Sequence, residues 1–186
     1  MNWNDYVSKI KKSLDSFKFD KEILAIIRKS KDKGSKIFVG GNGGSAALAD
    51  HFVCDLSKGA NKYWEKEHKP RFKAICLSTN TGYLTAIAND TNYDQVFKQQ
   101  LINLGKKGDI VILISSSGNS PNVVNAAEYA KSKGIIIIGI TGFKGGKLKE
   151  IADYSAHVNS DLYETAEDIH SIFGHFLAVH LRETEK

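Results

Sequence analysis

The stretch DIVILISSSGNSP, Asp109 to Pro121, reads as a strand that runs straight into a polar loop and the first turn of a helix. Its five consecutive apolar residues, Ile110 to Ile114, do not alternate with polar ones, so both faces of the strand are expected to be covered. Such strands belong to parallel sheets, whose connections are helices. Pro121 has its φ preset for a first helical position, and Ser120 before it is an N-cap candidate.

The same pattern extends on either side. KIFVG (36–40), FKAICLST (72–79), IIIIGITG (135–142) and YSAHVN (154–159) read as four more strands. Helical spacing of apolar residues marks 3–18 and 20–33, with Gly34 closing the second helix. Residues 81–105 read as helical pieces broken near Asn89-Asp90, and about 162–185 as one long helix. The fold class expected is α/β: a doubly wound, five-stranded parallel sheet of flavodoxin-like kind, flanked by helices. One domain over 1–186 is expected, with an N-terminal helical extension over about 1–33.

Hydrophobic residues make up 41% and charged residues 25% of the 186, the balance of a soluble globular chain. No apolar run is long enough to span a bilayer, and the N-terminus lacks the apolar block of a signal peptide. Cys54 and Cys76 do not form a disulfide framework, so a cytoplasmic location is expected. The net charge is +5, with Lys58, Lys62, Lys66, Lys69, Arg71 and Lys73 close together. Glu65 and Glu67 dilute that cluster. It reads as a solvated loop that helps steer a phosphate, and no nucleic-acid partner is expected.

Two loops stand at the carboxyl ends of strands, where open α/β sheets bind ligands. GGNGGS (40–45) lets backbone N–H groups approach an anion at a helix N-terminus. A dinucleotide fingerprint is not met, because the G-x-G-x-x-G spacing fails and no acidic residue ends the second strand. Neither nicotinamide nor flavin is expected. In SSSGNSP (115–121), capping accounts for Ser120 but not for Ser115, Ser116 and Ser117. A phosphate cradle accounts for all four.

His51 and Asp55 sit at i and i+4 on one helical face. On the last helix Glu164 and His175 are about 20° from eclipsed, and Glu167 and His175 about 80°. By spacing alone the plainer reading is preferred: a solvated helix pair for His51 and Asp55, and a polar break on a mostly apolar helix for His175.

Taken together, GNGGSAALADHF, LTAIAND, GDIVILISSSGNSPNVV, ITGFKGG and EDIHSIFGH resemble, in order and over nearly the whole chain, the sugar isomerase (SIS) domain family. Within it they are most similar to the bacterial phosphoheptose isomerases. The resemblance implies a homotetramer with active sites at subunit interfaces. It implies conversion of sedoheptulose 7-phosphate to D-glycero-D-manno-heptose 7-phosphate through an enediol. It places Asn42, Gly43, Gly44, Ser45, Asn89, Asp90, Ser115, Ser116, Ser117, Ser120 and Glu167 against the substrate. Asp55 falls in the position of the carbon base and His175 in that of its acid–base partner.

The same resemblance implies that His51, Asp55, Glu167 and His175 converge on one divalent ion, zinc by the chemistry of the donors. Two carboxylates brought close without a cation would repel each other. The chain departs from the family in having Asp55 for glutamate, Glu167 for glutamine and Lys58 where an arginine follows the carboxylate. Two other readings follow from these departures. One is an isomerase for a different sugar phosphate. The other is a noncatalytic partner-binding protein, similar to the replication initiator-associating protein of the same family.

Overall fold

The computed structural model describes residues 1–185. The first helix, α1 (Trp3–Ser16), is capped reciprocally: the Asn2 side chain accepts from the Asp5 N–H at 2.9 Å, and the Asp5 carboxylate accepts from the Asn2 N–H at 3.1 Å. The second helix, α2 (Glu22–Lys33), ends at Gly34 with φ 64°, as expected. Between them lies an element that helical spacing did not reveal. Lys18–Phe19 forms a two-residue strand, β1, antiparallel to the last strand of the sheet. Its cause is tertiary: Phe17 and Phe19 pack their rings on Phe173 at 5.2 and 5.1 Å, which extends the linking backbone along the sheet edge.

The five expected strands are present as β2 (Lys36–Gly41), β3 (Lys73–Cys76), β4 (Ile110–Ser115), β5 (Ile136–Thr141) and β6 (Tyr154–His157). The six-stranded sheet runs β1-β6-β5-β4-β2-β3, and all but the β1 pairing is parallel. With β1 set aside, this is the 2-1-3-4-5 order of flavodoxin-like folds.

Alternate residues of β2 to β5 feed two separate cores. Ile37, Val39, Ile112 and Ile140 pack toward α2, α3 (Gly44–Cys54) and α8 (Tyr163–Glu183). Phe38, Val111, Leu113 and Ile137 pack toward α5 (Val96–Leu104) and α6 (Pro121–Lys133). Every residue of β4 is buried, and burial contributes roughly 1.5–3 kcal/mol for each large apolar side chain. The serine loop therefore departs from the most firmly held strand in the sheet.

The break near Asn89-Asp90 is real: α4 (Thr81–Asp90) ends there, and a short 3-10 turn (Tyr93–Gln95) leads into α5. The loop expected after β5 contains a further short helix, α7 (Gly146–Ile151). Helix α3 does not simply stop at Cys54. It widens into a π-turn over Asp55–Gly59, in which the Ala60 N–H donates to the Asp55 carbonyl at 2.7 Å.

The chain leaves β2 for the α3 face and leaves β4 for the α6 face. These adjacent strands thus open a crevice at the topological switch point, where such sheets bind ligands. Among the described residues no helix is long and apolar enough to cross a membrane.

Candidate active site

The crevice contains a cavity of about 130 Å³. Ser45 from α3, the four loop serines and Glu167 from α8 line it, with Asn42, Ile114 and Tyr163. The serine hydroxyls are not equivalent. That of Ser115 accepts from the Gly118 N–H at 3.1 Å and lies 3.4 Å from that of Ser120. That of Ser117 accepts from the Asn119 N–H at 3.2 Å. Ser120 occupies the N-cap position before Pro121, yet its side chain does not cap the helix, contrary to the sequence reading. Pro121 supplies the helical start by itself, and the Ser120 oxygen stays with the pocket. Ser116 is 5% exposed, and its hydroxyl has no hydrogen-bond partner among the described residues. A buried unsatisfied hydroxyl costs about 1–3 kcal/mol, a cost that a ligand oxygen would remove.

The glycine loop is pinned across the crevice. Gly43, at φ 55° and ψ −125°, turns the chain into α3 in a conformation that side chains disfavour. Ser78 donates to the Gly41 carbonyl at 2.9 Å and accepts from its N–H at 3.2 Å. The amides of Asn42 and Asn122 bond reciprocally at 2.8 and 2.9 Å, and the Tyr93 hydroxyl donates to Asn42 at 3.0 Å. Asn42 thus lines the cavity while its amide braces two loops. Asn122, Tyr93, Ser78 and Tyr163 were not singled out in the sequence. Only Asn122, next to Pro121 in the loop motif, carried a local signal. Asn89 and Asp90 sit exposed at the end of α4, where the Asn89 amide donates to the Asp90 carboxylate at 2.9 Å. They are not among the walls of the cavity.

Helices α3 and α8 lie side by side. Gly44 faces the Glu167 carboxylate and Gly174 lies under the Phe52 ring, each where a β-carbon would collide. This close approach brings three polar side chains together at the far end of α3. The Nε2 atoms of His51 and His175 are 2.8 Å apart, with the rings edge to face at 86°. The Asp55 Oδ2 lies 3.5 Å from the first and 3.9 Å from the second. That oxygen is buried and has no hydrogen-bond partner among the described residues.

One ligand atom from each of the three lies within 4.8 Å of the others. Two imidazole nitrogens and an unpartnered carboxylate oxygen suit a divalent ion such as zinc, and they leave a coordination position open. Glu167, the fourth residue expected in this set, is not in the cluster. It stands eight residues before His175, about 12 Å along the helix at 1.5 Å per residue, and joins the serine cavity instead. Burial raises its carboxyl above the usual range, with further upward pushes from Glu164 and Asp168.

A model of the SIS domain matches residues 3–142. A protein of Thermoplasma acidophilum named probable phosphoheptose isomerase is 45% identical over 150 residues, covering 81% of this chain and 80% of that one. The phosphoheptose isomerase of Aneurinibacillus thermoaerophilus is 37% identical over 191 residues, covering 97% of this chain and 94% of its own. Among solved structures, a phosphoheptose isomerase from Francisella tularensis superposes with a TM-score of 0.85 at 26% identity, covering 99% of this chain and 100% of that one. The Neisseria gonorrhoeae enzyme gives 0.84 at 27%, covering 97% and 96%.

Proposed function

This chain belongs to the SIS domain family and, within it, to the phosphoheptose isomerases, and from that premise we propose that this phosphosugar isomerase interconverts sedoheptulose 7-phosphate and D-glycero-D-manno-heptose 7-phosphate. One observation carries the substrate: α3 and α8 each reach the serine cavity, at Ser45 and Glu167, and each carries one imidazole of the His51–Asp55–His175 cluster further along, at a spacing that suits a seven-carbon chain. Ser45 precedes His51 by six residues, about 9 Å of helix, and Glu167 precedes His175 by about 12 Å. An extended chain covers about 3.6 Å per three single bonds. The eight bonds from C1 to phosphorus in a heptose 7-phosphate therefore span about 10 Å by the same measure.

With its phosphate among the serine hydroxyls, the sugar's carbonyl end reaches the cluster. The Asp55 carboxylate removes a proton from C1 of the ketose, giving the enediol, and returns a proton to C2 to form the aldose. The unpartnered Oδ2 supports this role, because no hydrogen-bond donor among the described residues takes up its lone pairs. The His175 Nε2 moves a proton between O1 and O2, as a general acid and then a base. Where a divalent ion such as zinc occupied the cluster, His51, Asp55 and His175 would hold it, and it would supply Lewis-acid polarisation of a substrate oxygen in place of proton transfer by the His175 Nε2. No nicotinamide or flavin enters the reaction, which is redox-neutral.

The active assembly is a homotetramer with sites where subunits meet. Ile172, Phe176 and Val179 are exposed on the same helix as His175, and Trp3 on α1, and this apolar surface supports the reading. Light scattering at micromolar concentration checks it, and a monomer would contradict it.

Incubation with sedoheptulose 7-phosphate in deuterated water, read by NMR, is expected to yield the aldose with deuterium at C2. Asp55→Asn and His175→Asn are each expected to slow turnover by roughly 10²- to 10⁴-fold. Absence of turnover would favour the noncatalytic reading. Turnover of shorter sugar phosphates alone would assign the enzyme another substrate.

A further inference from the structure

Tyr163 opens α8 and lines the serine cavity, where it is the sole aromatic residue among the described residues. The other side chains lining that cavity are polar or charged, apart from Ile114 on the sheet. Tyr163 is 56% exposed, so its ring is open to solvent as well as to the cavity. The serines can satisfy a phosphate, but hydroxyl groups do not distinguish a phosphate ester from the free anion. Tyr163 offers apolar surface to the carbon next to the phosphate.

The ring is held from behind. Phe143 meets it at a centroid distance of 4.7 Å and an interplanar angle of 61°. Phe143 has φ 48° and is the only non-glycine residue with positive φ among the described residues. A bulky side chain in that region is strained, and such strain persists where the surroundings enforce it. Here the Phe143 N–H donates to the Ser160 carbonyl at 3.1 Å, and the Leu162 N–H donates to the Ser160 hydroxyl at 3.3 Å. The neighbouring Gly142 N–H donates to the Ser116 carbonyl at 3.0 Å. One network thus joins the Phe143 loop, the start of α8 and the serine loop.

We propose that Tyr163, braced by Phe143, is a specificity residue that makes the serine cavity prefer a phosphate monoester of a primary alcohol to inorganic phosphate, by packing its ring on the CH2–O group. This inference rests on the reading of the serine cavity as the phosphate site, and it does not depend on which sugar is turned over.

Calorimetric titration of the intact protein with n-propyl phosphate and with inorganic phosphate tests it. Tyr163→Ala is expected to weaken the ester about fivefold and to leave inorganic phosphate unchanged. Tyr163→Phe is expected to bind both as the native protein does. Equal weakening of both ligands in both variants would make the tyrosine hydroxyl a phosphate ligand and overturn the proposal. Unchanged ester binding in Tyr163→Ala would place the ring away from the ligand and overturn it as well. Ser116→Ala separates this failure from that of the cavity itself: if native binding of both ligands survives that change, the phosphate site lies elsewhere and both readings fall.

Discussion

The Nε2 atoms of His51 and His175 lie 2.8 Å apart although 124 residues separate them in the chain. The cause is the pairing of two helices. The contacts Gly44–Glu167, Phe52–Gly174 and His51–His175 have sequence offsets of 123, 122 and 124 residues, so α3 and α8 run side by side in a nearly constant register. The serine cavity at Ser45 and Glu167 and the His51–His175 pair thereby sit at two levels of one helix pair, and helix rise sets the distance between those levels.

Gly174→Ala is expected to damage this pairing. The added β-carbon would collide with the Phe52 ring, and overpacking of this kind costs about 1–3 kcal/mol. Urea melts are expected to show that loss, accompanied by reduced turnover as His175 is displaced. Adding Phe52→Leu is expected to recover part of both, because the clash is with that ring. Additive losses in the double variant would mean that the contact does not set the helix spacing.

For the metal, protein purified without chelator or affinity tag is expected to carry close to one divalent ion per chain by elemental analysis. His51→Ala is expected to lose it. Chelation is expected to lower the melting temperature of the native protein and to leave that of His51→Ala unchanged, since a ligand stabilises only the state that binds it. Native protein that carries no metal and melts identically with chelator would leave the three residues as an acid–base cluster.

Ser116 and Ser120 are expected to separate stability from binding. Ser116→Ala removes a buried hydroxyl that has no hydrogen-bond partner among the described residues, so the ligand-free protein is expected to be as stable as the native one or more so. KM is expected to rise with kcat little changed, because a phosphate remote from the reacting carbons is held equally in ground and transition states. Ser120→Ala is expected to behave likewise without the roughly 1 kcal/mol loss of a broken cap, because its side chain caps nothing. A fall in kcat at constant KM would give these serines a different role.

Much of this was legible in the sequence where one pattern governs one element. Uninterrupted runs such as Ile110–Ile114 announced buried parallel strands, and the serine excess around Pro121 marked the loop that lines the cavity. The short β1 strand was not legible, because nothing local to Lys18–Phe19 competes with helical spacing. It exists because Phe17 and Phe19 find Phe173. The π-turn at Asp55 and the Asn42–Asn122 pair are tertiary in the same sense. Helical angles allowed Glu167 and His175 to edge one pocket, but they carry no axial information. Eight residues of rise set Glu167 at the serine cavity and His175 at the cluster with His51 and Asp55.

That placement has a consequence for pH. Burial, then Glu164 and Asp168, raise the Glu167 carboxyl above its value in the unfolded chain. Below the unfolded value the group is protonated in both states and costs nothing. As pH rises past that value, the unfolded chain releases its proton first, and stability falls until the folded-state value is passed. Above that point the charged carboxylate carries its full penalty. Glu167→Gln keeps the shape and removes the charge, so it is expected to raise the melting temperature at neutral pH. The gain is expected to shrink on acidification and to vanish below pH of about 4, near the ordinary glutamate value. Melting curves of both proteins from acid to neutral pH read this directly. A gain that stays constant across the range would assign it to hydrogen bonding by the new amide. No gain at neutral pH would mean that the carboxylate is already compensated, as it would be if it faced a bound cation.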